Sequence, residues 1–162
     1  MSENNYPSAP SPEDYSMKWH KFLIYFALWL SAVLNIVSAF GYFTGSAYNA
    51  SGASASRVYS TFPGLKGVDI FMGICLLAIG VMALVTRFAL AGYKQKGPKM
   101  LLILYGTNLV VPVLYLILAS STTGLSIADL TGTSTWTSLI TSLIMIFANK
   151  VYYDKRAALF VN

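Results

Sequence analysis

Residues 68–119 read VDIFMGICLLAIGVMALVTRFALAGYKQKGPKMLLILYGTNLVVPVLYLILA. Two long apolar runs in this stretch are separated by a short basic turn, KQKGPK, at residues 94–99. A helix needs about 20 mostly apolar residues to cross the hydrocarbon core of a bilayer, which is roughly 30 Å thick. Each run has about that length. Gly97 is expected to end the first helix and Pro98 to begin the second, where its missing N–H costs nothing. The stretch therefore predicts a transmembrane helical hairpin.

The composition of the whole chain also indicates a membrane protein. Of its 162 residues, 56% are hydrophobic and 10% are charged, and the mean hydropathy is +0.59. Ordinary soluble domains carry about 25% charged residues, so we expect the lipid bilayer to surround most of this chain. The single cysteine, Cys75, excludes an internal disulfide framework and a cysteine-based zinc site.

Four candidate spans occur along the sequence, at residues 22–44, 68–90, 100–119 and 136–153. The fourth is the most polar, and we expect it to depend on packing against its neighbours. The prediction is an all-α integral membrane four-helix bundle of two antiparallel hairpins, formed by residues 18–162. Residues 1–17 are rich in Pro and Ser and contain no basic residue, which is typical of a disordered tail.

The basic residues are distributed unequally between the two sides of the predicted bundle. Nine of the eleven flank the termini and the turn between spans two and three, whereas only Arg57 and Lys66 lie in the other two connections. Because basic residues favour the cytoplasmic side, both termini are predicted in the cytoplasm of a cell-membrane protein. The net charge of +5 is then a feature of topology, and we expect no nucleic-acid partner.

Polar side chains occur at a similar depth in three of the spans. They are Asn35 in span one, Asn108 in span three, and Thr141 and Ser142 in span four. Residues three or four apart share a helix face, and three such faces are polar. They are Ser31, Asn35 and Ser38 in span one, Tyr105, Asn108, Pro112 and Tyr115 in span three, and Ser138, Thr141, Ser142, Met145 and Asn149 in span four.

Two interpretations of this polar layer remain open. It could line a path for a small solute or ion, with Pro112 releasing backbone carbonyl groups. Alternatively, its members form hydrogen bonds between helices, each worth about 0.6 to 2 kcal/mol. The second interpretation is favoured, because carriers and cation channels usually place acidic or histidine side chains at this depth, and the single histidine, His20, lies at the boundary.

Asp69 is the one acidic residue close to the interior of a span. A carboxylate in the first turn of a helix is stabilised by the helix dipole by about 0.3 to 1 kcal/mol, which explains Asp69 without any chemistry. The alternative is that Asp69 attracts cations at the outer mouth of a pathway.

Four glycines are predicted to allow close helix packing. Gly41 and Gly45 form a GxxxG pattern at the end of span one, and Gly73 and Gly80 lie in span two. Such positions let helix backbones approach each other. Self-association is therefore a plausible property of this chain.

The sequence lacks the motifs of the common catalytic and cofactor sites, including HExxH, a P-loop, a Ser/His/Asp set and a His/Cys cluster with metal-ligand spacing. We therefore expect no enzyme activity and no cofactor. The predicted function is that of a small non-catalytic membrane protein, either a homo-oligomer or an accessory of a membrane complex. The alternative is a small solute or ion transporter or channel.

Three stretches resemble a group of short, uncharacterised four-span bacterial membrane proteins, many of which carry a Cys-rich, zinc-ribbon-like N-terminal module. They are FPGLKGVDIFMGI at residues 62–74, TRFALAGYKQKGPKMLL at 86–102 and NKVYYDKRAALFVN at 149–162. The chain departs from the group at its N-terminus, where residues 1–17 contain no cysteine. The resemblance implies a cell-membrane location and no particular activity.

Overall fold

The computed structural model describes residues 15–161, without the side chains of Ala50, Ser51 and Ser134. Most of the predicted disordered tail, residues 1–14, lies outside the described residues. Its last three residues lie inside them, and Met17 is buried against the helices.

All regular elements within residues 15–161 are helical, so the predicted all-α class is confirmed. Six α-helices are present: α1 at Lys18–Thr44, α2 at Ala55–Thr61, α3 at Leu65–Ala91, α4 at Gly97–Thr123, α5 at Ile127–Leu130 and α6 at Thr133–Asp154. Helix α1 includes a π-helical turn at Leu23–Ala27, and short 3-10 helices occur at Ser46–Ser51 and Ala157–Leu159.

Three helices, α1, α3 and α4, are long and apolar enough to cross a membrane, with 27 residues each. Helix α6 has 22 residues and is more polar. Each long helix covers one predicted span and continues a few residues beyond it. The number of spans and the cytoplasmic location of the termini stay predictions.

The turn between α3 and α4 differs in one detail from the expectation. Helix α3 already ends at Ala91, and Gly97 is the first residue of α4, so the prediction that Gly97 ends a helix is wrong. Pro98 lies in the first turn of α4 as expected. The added Cβ of an alanine at position 97 would lie 3.2 Å from the backbone of Ala89, which shows how closely the two helices meet.

Each long helix packs most closely against the next long helix along the chain. The pairs are α1 with α3, α3 with α4, and α4 with α6. We call the end that holds Tyr15, the α3–α4 turn and Phe160 the termini end. The opposite end, which holds the connections at residues 45–64 and 124–132, is the loop end.

Apolar packing is concentrated in the half of the molecule next to the termini end. A large cluster of buried residues fills it, including Leu23, Leu28, Ala32, Ile79, Ala83, Leu90, Leu101 and Leu104. The half next to the loop end has a smaller cluster of Ala39, Met72 and Leu76. The helix faces turned away from these clusters expose large apolar side chains, among them Val37, Ile74, Val81, Val110 and Phe147. Such extensive apolar surface is typical of contact with lipid.

The four glycines have two different structural roles. Gly73 faces the ring of Phe43, where an added Cβ would lie 2.5 Å from a ring carbon, and an added Cβ on Gly80 would lie 2.9 Å from Ile36. Both therefore lie where α1 and α3 meet closely. Gly45 instead is the C-cap of α1 with φ of 72°, and the added Cβ would lie 2.4 Å from that of Ala55 in the same chain. Gly41 also faces its own loop, at Ser46 and Ala47.

A side chain of α3 binds the π-helical turn of α1. The Nε atom of Arg87 donates a hydrogen bond of 3.2 Å to the carbonyl oxygen of Ile24, and the guanidinium carbon lies 5.2 Å from the ring centre of Trp29 and 4.7 Å from that of Phe88. A π turn disturbs the regular i→i+4 hydrogen bonds of a helix. Arg87 supplies a donor at that point and joins α3 to α1.

Candidate functional site

The most unusual polar feature of the molecule is Asp69, whose side chain is 0% exposed. Three tyrosine hydroxyl groups donate hydrogen bonds to its carboxylate. Tyr48 and Tyr59 donate to Oδ2 at 2.6 and 2.9 Å, and Tyr115 donates to Oδ1 at 2.9 Å. We call Asp69, Tyr48, Tyr59 and Tyr115 the Asp69–tyrosine cluster.

The connection after α1 folds back so that two of these tyrosines reach Asp69. Gly45 ends α1 in the left-handed conformation, and Gly52 has φ of 73° at the end of the following 3-10 helix. These two positions favour glycine because other residues are strained there. The resulting reversals place Tyr48 and then Tyr59 of α2 above α3, and Tyr115 approaches from α4.

The helix-dipole explanation of Asp69 does not fit the structure. Helix α3 begins at Leu65 and has no acidic residue in its first turn. Asp69 therefore lies in the second turn, where the dipole effect has fallen off. The three tyrosine hydroxyl groups replace the water molecules that donate hydrogen bonds to an exposed carboxylate.

The cluster compensates a buried charge with hydroxyl donors only. Among residues 15–161 the one salt bridge joins Lys150 to Asp154, so no cation lies at ion-pair distance from Asp69. A buried carboxylate without a partner would be very costly. Hydrogen bonds to charged groups are each worth about 1.5 to 3 kcal/mol, and three of them hold Asp69.

The tyrosines of the connection remain protonated donors over a wide pH range. Burial, followed by the hydrogen bond to Asp69 and its negative charge, raises the pKa of Tyr59 to about 12. The same causes, burial first, raise the pKa of the Tyr48 hydroxyl. Both residues lie outside the long helices. Their hydroxyl groups therefore keep donating to Asp69 at neutral pH.

A cavity of about 560 Å³ adjoins the cluster in the loop half, between α1, α3, α4 and α6. We call it the loop-end cavity. Its polar lining consists of hydroxyl groups, and its apolar lining comes from Met72, Leu76, Pro112, Leu116, Leu130 and Leu139. The hydroxyl groups belong to Ser38, Tyr42, Tyr115, Thr135 and Ser138. The volume lies within the usual range of small-molecule sites, about 300 to 1,000 Å³.

Tyr115 connects the cavity to the buried carboxylate. Its ring packs edge-on against Tyr42, with 5.4 Å between ring centres and an angle of 73° between the planes, and its hydroxyl binds Asp69. A second cavity of about 280 Å³ shares Tyr42, Tyr115, Leu116 and Leu130 with the first. The wall between cavity and cluster is thus made by two tyrosines.

The two asparagines of the predicted polar layer lie outside this site. Asn35 donates to the carbonyl oxygen of Ser31 at 2.8 Å, and Asn108 donates to that of Leu104 at 2.9 Å. Each bond stays within its own helix, and in the described part of the chain neither asparagine bonds to another helix. They neither join helices nor line the loop-end cavity.

The predicted layer is also divided in α6. Ser142 is buried, whereas Thr141 is exposed on the outside of the helix. The three polar faces predicted from the sequence nevertheless contribute their loop-end members, Ser38, Pro112, Tyr115 and Ser138, to the cavity. The helix faces were recognisable from spacing, but the depth of the polar site was not.

Tyr48 and Tyr59 of the cluster were missed from the sequence, whereas Tyr115 was recognised as part of the polar face of span three. No sequence motif joins these tyrosines to Asp69. The available signal was weak: one acid near the end of an apolar span, with several tyrosines at the same end of the predicted bundle.

A second buried polar group lies at the termini end. His20 is 1% exposed, and its Nδ1 atom is 3.0 Å from the hydroxyl oxygen of Tyr153. The rings of Tyr93 and Phe160 lie 5.2 and 5.8 Å from the imidazole. Next to it, Asn149 of α6 accepts a hydrogen bond of 3.0 Å from the indole of Trp19.

Comparison of the chain with protein-family models, with curated proteins and with solved structures found no match. The resemblance to four-span bacterial proteins therefore stays an expectation.

Proposed function

We propose that the chain is a four-span protein of the cell membrane with both termini in the cytoplasm. Helix α6, at 22 residues, would be about 33 Å long, which is enough to cross a bilayer. Its low hydropathy is offset where Ser142 and Asn149 are buried inside the protein. The predominance of basic residues at the termini end supports the orientation.

Within this topology the protein binds a small molecule and does not catalyse its conversion. The observation that carries this proposal is the loop-end cavity, which lies beside the Asp69–tyrosine cluster and above a termini half packed with apolar side chains. The cavity would open to the outer side of the membrane. Because its lining has hydroxyl groups and no charged side chain, the favoured ligand is uncharged, with an apolar body and a polar head.

Binding in this cavity suits an accessory of a membrane complex, which senses or holds a ligand for a partner protein. The Asp69–tyrosine cluster fixes the first connection to α3 and α4, so that the cavity wall is rigid. Preorganised walls reduce the entropy that is lost on binding.

A transporter is the second candidate, because a cavity open to one side is also what an outward-facing carrier presents. Passage through the termini half would require α1 and α3 to separate around Ala32, Ile79 and Ala83, which are all buried. Solute flux into liposomes that is lost on the substitution Ser38→Leu, in the cavity lining, would favour the carrier. Absence of flux with the parent chain would remove it.

Thiol labelling tests the cavity directly. In a Cys75→Ser background, Ser38→Cys is expected to react with a membrane-impermeant maleimide added outside intact cells. Ala32→Cys is the matched control in the same helix, because Ala32 is buried in the closed half, and we expect no reaction there. Absence of labelling at position 38 would contradict an outward-open cavity, and labelling at position 32 would indicate a continuous path.

The same variant tests the ligand class. In lipid nanodiscs, octyl glucoside below its micellar concentration is expected to slow the labelling of Ser38→Cys, since it has an uncharged hydroxyl-bearing head and an apolar chain. Octyl sulfate, with the same chain, is expected to have little effect because no cation lines the cavity. Equal protection by both amphiphiles would contradict selectivity for an uncharged head.

A further inference from the structure

We propose that a pocket at the termini end binds the phosphate headgroup of an anionic phospholipid. The pocket has a volume of about 320 Å³ and lies between the start of α4 and the end of α6, with Lys99 and Lys150 on opposite walls. It is separate from the loop-end cavity and depends only on insertion of the chain into a membrane. Basic pockets between helices at the cytoplasmic side are typical sites for anionic headgroups.

The two lysines can reach a phosphate without breaking a strong contact. Lys150 is bonded to Asp154 at 2.6 Å, and both side chains are more than half exposed. Such exposed pairs contribute about 0 to 1 kcal/mol, so Lys150 can exchange the carboxylate for a phosphate group. Lys94 and Lys96 in the adjacent turn add to the positive potential at the pocket.

The start of α4 has no acidic side chain that would stabilise the positive end of the helix dipole. Its N-cap residue, Lys96, makes no side-chain hydrogen bond to the helix, and its first turn contains no acidic residue. Lys99 lies in that turn, at the positive end of the helix dipole, where a cation is unfavourable. A phosphate between Lys99 and Lys150 would relieve this repulsion.

Most of the remaining lining is apolar, which favours a lipid over free phosphate. It comes from Pro98, Leu102, Ala157 and Phe160. Gln95, Tyr153 and Asp154, the carboxylate that Lys150 binds, complete the lining. Ile103, the next residue of α4, is half exposed on the helix surface. A headgroup held by the lysines would therefore have its glycerol and acyl chains continue along the lipid-facing side of α4.

Native mass spectrometry of the full chain, released from detergent with added lipid, tests this site. We expect phosphatidylglycerol to be retained more strongly than phosphatidylcholine of the same acyl chains. The double variant Lys99→Gln, Lys150→Gln is expected to bind phosphatidylglycerol roughly thirtyfold more weakly, as two lysine contacts to anionic lipid would predict.

The matched control is Lys18→Gln, Lys21→Gln, which removes two exposed lysines from the same end outside the pocket. Its binding should equal that of the parent, and thermal unfolding in detergent should show that both variants fold. Equal weakening by the two variants, or equal retention of the two lipids, would overturn the proposal. So would displacement of phosphatidylglycerol by an equal concentration of inorganic phosphate, which would indicate a site for the free ion.

Discussion

Tyrosines surround a buried polar side chain at each end of the molecule, Asp69 at the loop end and His20 at the termini end, but they contact it in different ways. At the loop end, three tyrosine hydroxyl groups donate to Asp69. At the termini end, the imidazole of His20 has one hydrogen bond, between Nδ1 and the hydroxyl of Tyr153, and its Nε2 atom is buried without a partner in the described structure. There the surrounding rings provide packing.

The difference shows what holds each end together. The loop end has few buried apolar residues beside its cavity, so its connection is fixed by hydrogen bonds to a carboxylate. The termini end is fixed by apolar and aromatic contacts. Tyr93 even adopts a left-handed conformation, with φ of 50°, at a position where its ring packs on His20 and Phe160. Substitutions at the loop end should therefore lower stability by breaking hydrogen bonds, and substitutions at the termini end by removing packing contacts.

The largest effect is expected for Asp69→Leu. The hydroxyl groups of Tyr59 and Tyr115 would lose their acceptor, and each buried donor that is left unsatisfied costs about 1 to 3 kcal/mol. We expect the free energy of unfolding in mixed micelles to fall by about 3 kcal/mol or more. Trypsin should also cleave faster after Arg57, because the connection is released from α3.

Asp154→Asn provides the control for this substitution. Asp154 lies in an exposed salt bridge, and its loss should change stability by less than about 1 kcal/mol. If Asp69→Leu were as mild as this control, the Asp69–tyrosine cluster would not stabilise the loop end.

A smaller effect is expected for His20→Phe at the termini end. The ring contacts with Tyr93 and Phe160 should persist, and one hydrogen bond is lost, which is worth about 0.5 to 1.5 kcal/mol. Removing the unpartnered Nε2 atom offsets part of that loss. Unfolding measured under the same conditions should therefore show a decrease of about 1 kcal/mol or less. A loss equal to that of Asp69→Leu would mean that polar bonding, and not packing, holds both ends.

The smallest effect at neutral pH concerns the ionisation of Tyr59, which changes stability only in alkaline solution. The pKa of Tyr59 is about 12 in the folded chain and about 10 in an unfolded one. Between these values the folded state keeps a proton that the unfolded state loses, so this contribution to stability is complete below pH 10 and disappears as the pH rises through 12.

The difference in tyrosinate absorbance between the parent and Tyr59→Phe reports the ionisation of Tyr59. This difference should therefore titrate near pH 12. In an Asp69→Asn background the same difference should titrate at lower pH but above 10, because burial, the first cause of the shift, remains. A midpoint of 10 in the parent would show that Tyr59 does not donate to a buried carboxylate.

Much of the fold could be predicted from local features of the sequence. The long helices cover the predicted spans because apolar length is read directly along the chain. Helix faces were also predictable, since Ser38, Pro112 and Tyr115 all reach the loop-end cavity. The role of Asn35 and Asn108 was not predictable, because an asparagine at any depth can bond to the carbonyl oxygen four residues before it.

The sequence alone determined that the chain is helical and that its long apolar runs can cross a membrane, since both properties depend on neighbouring residues. It also determined the unequal distribution of charge between the two ends. Only the tertiary structure decided that Asp69 meets Tyr59, Tyr48 and Tyr115, which are 10, 21 and 46 residues away along the chain. Those contacts depend on how the first connection folds back and how α4 packs on α3, and neither is encoded by spacing within one helix.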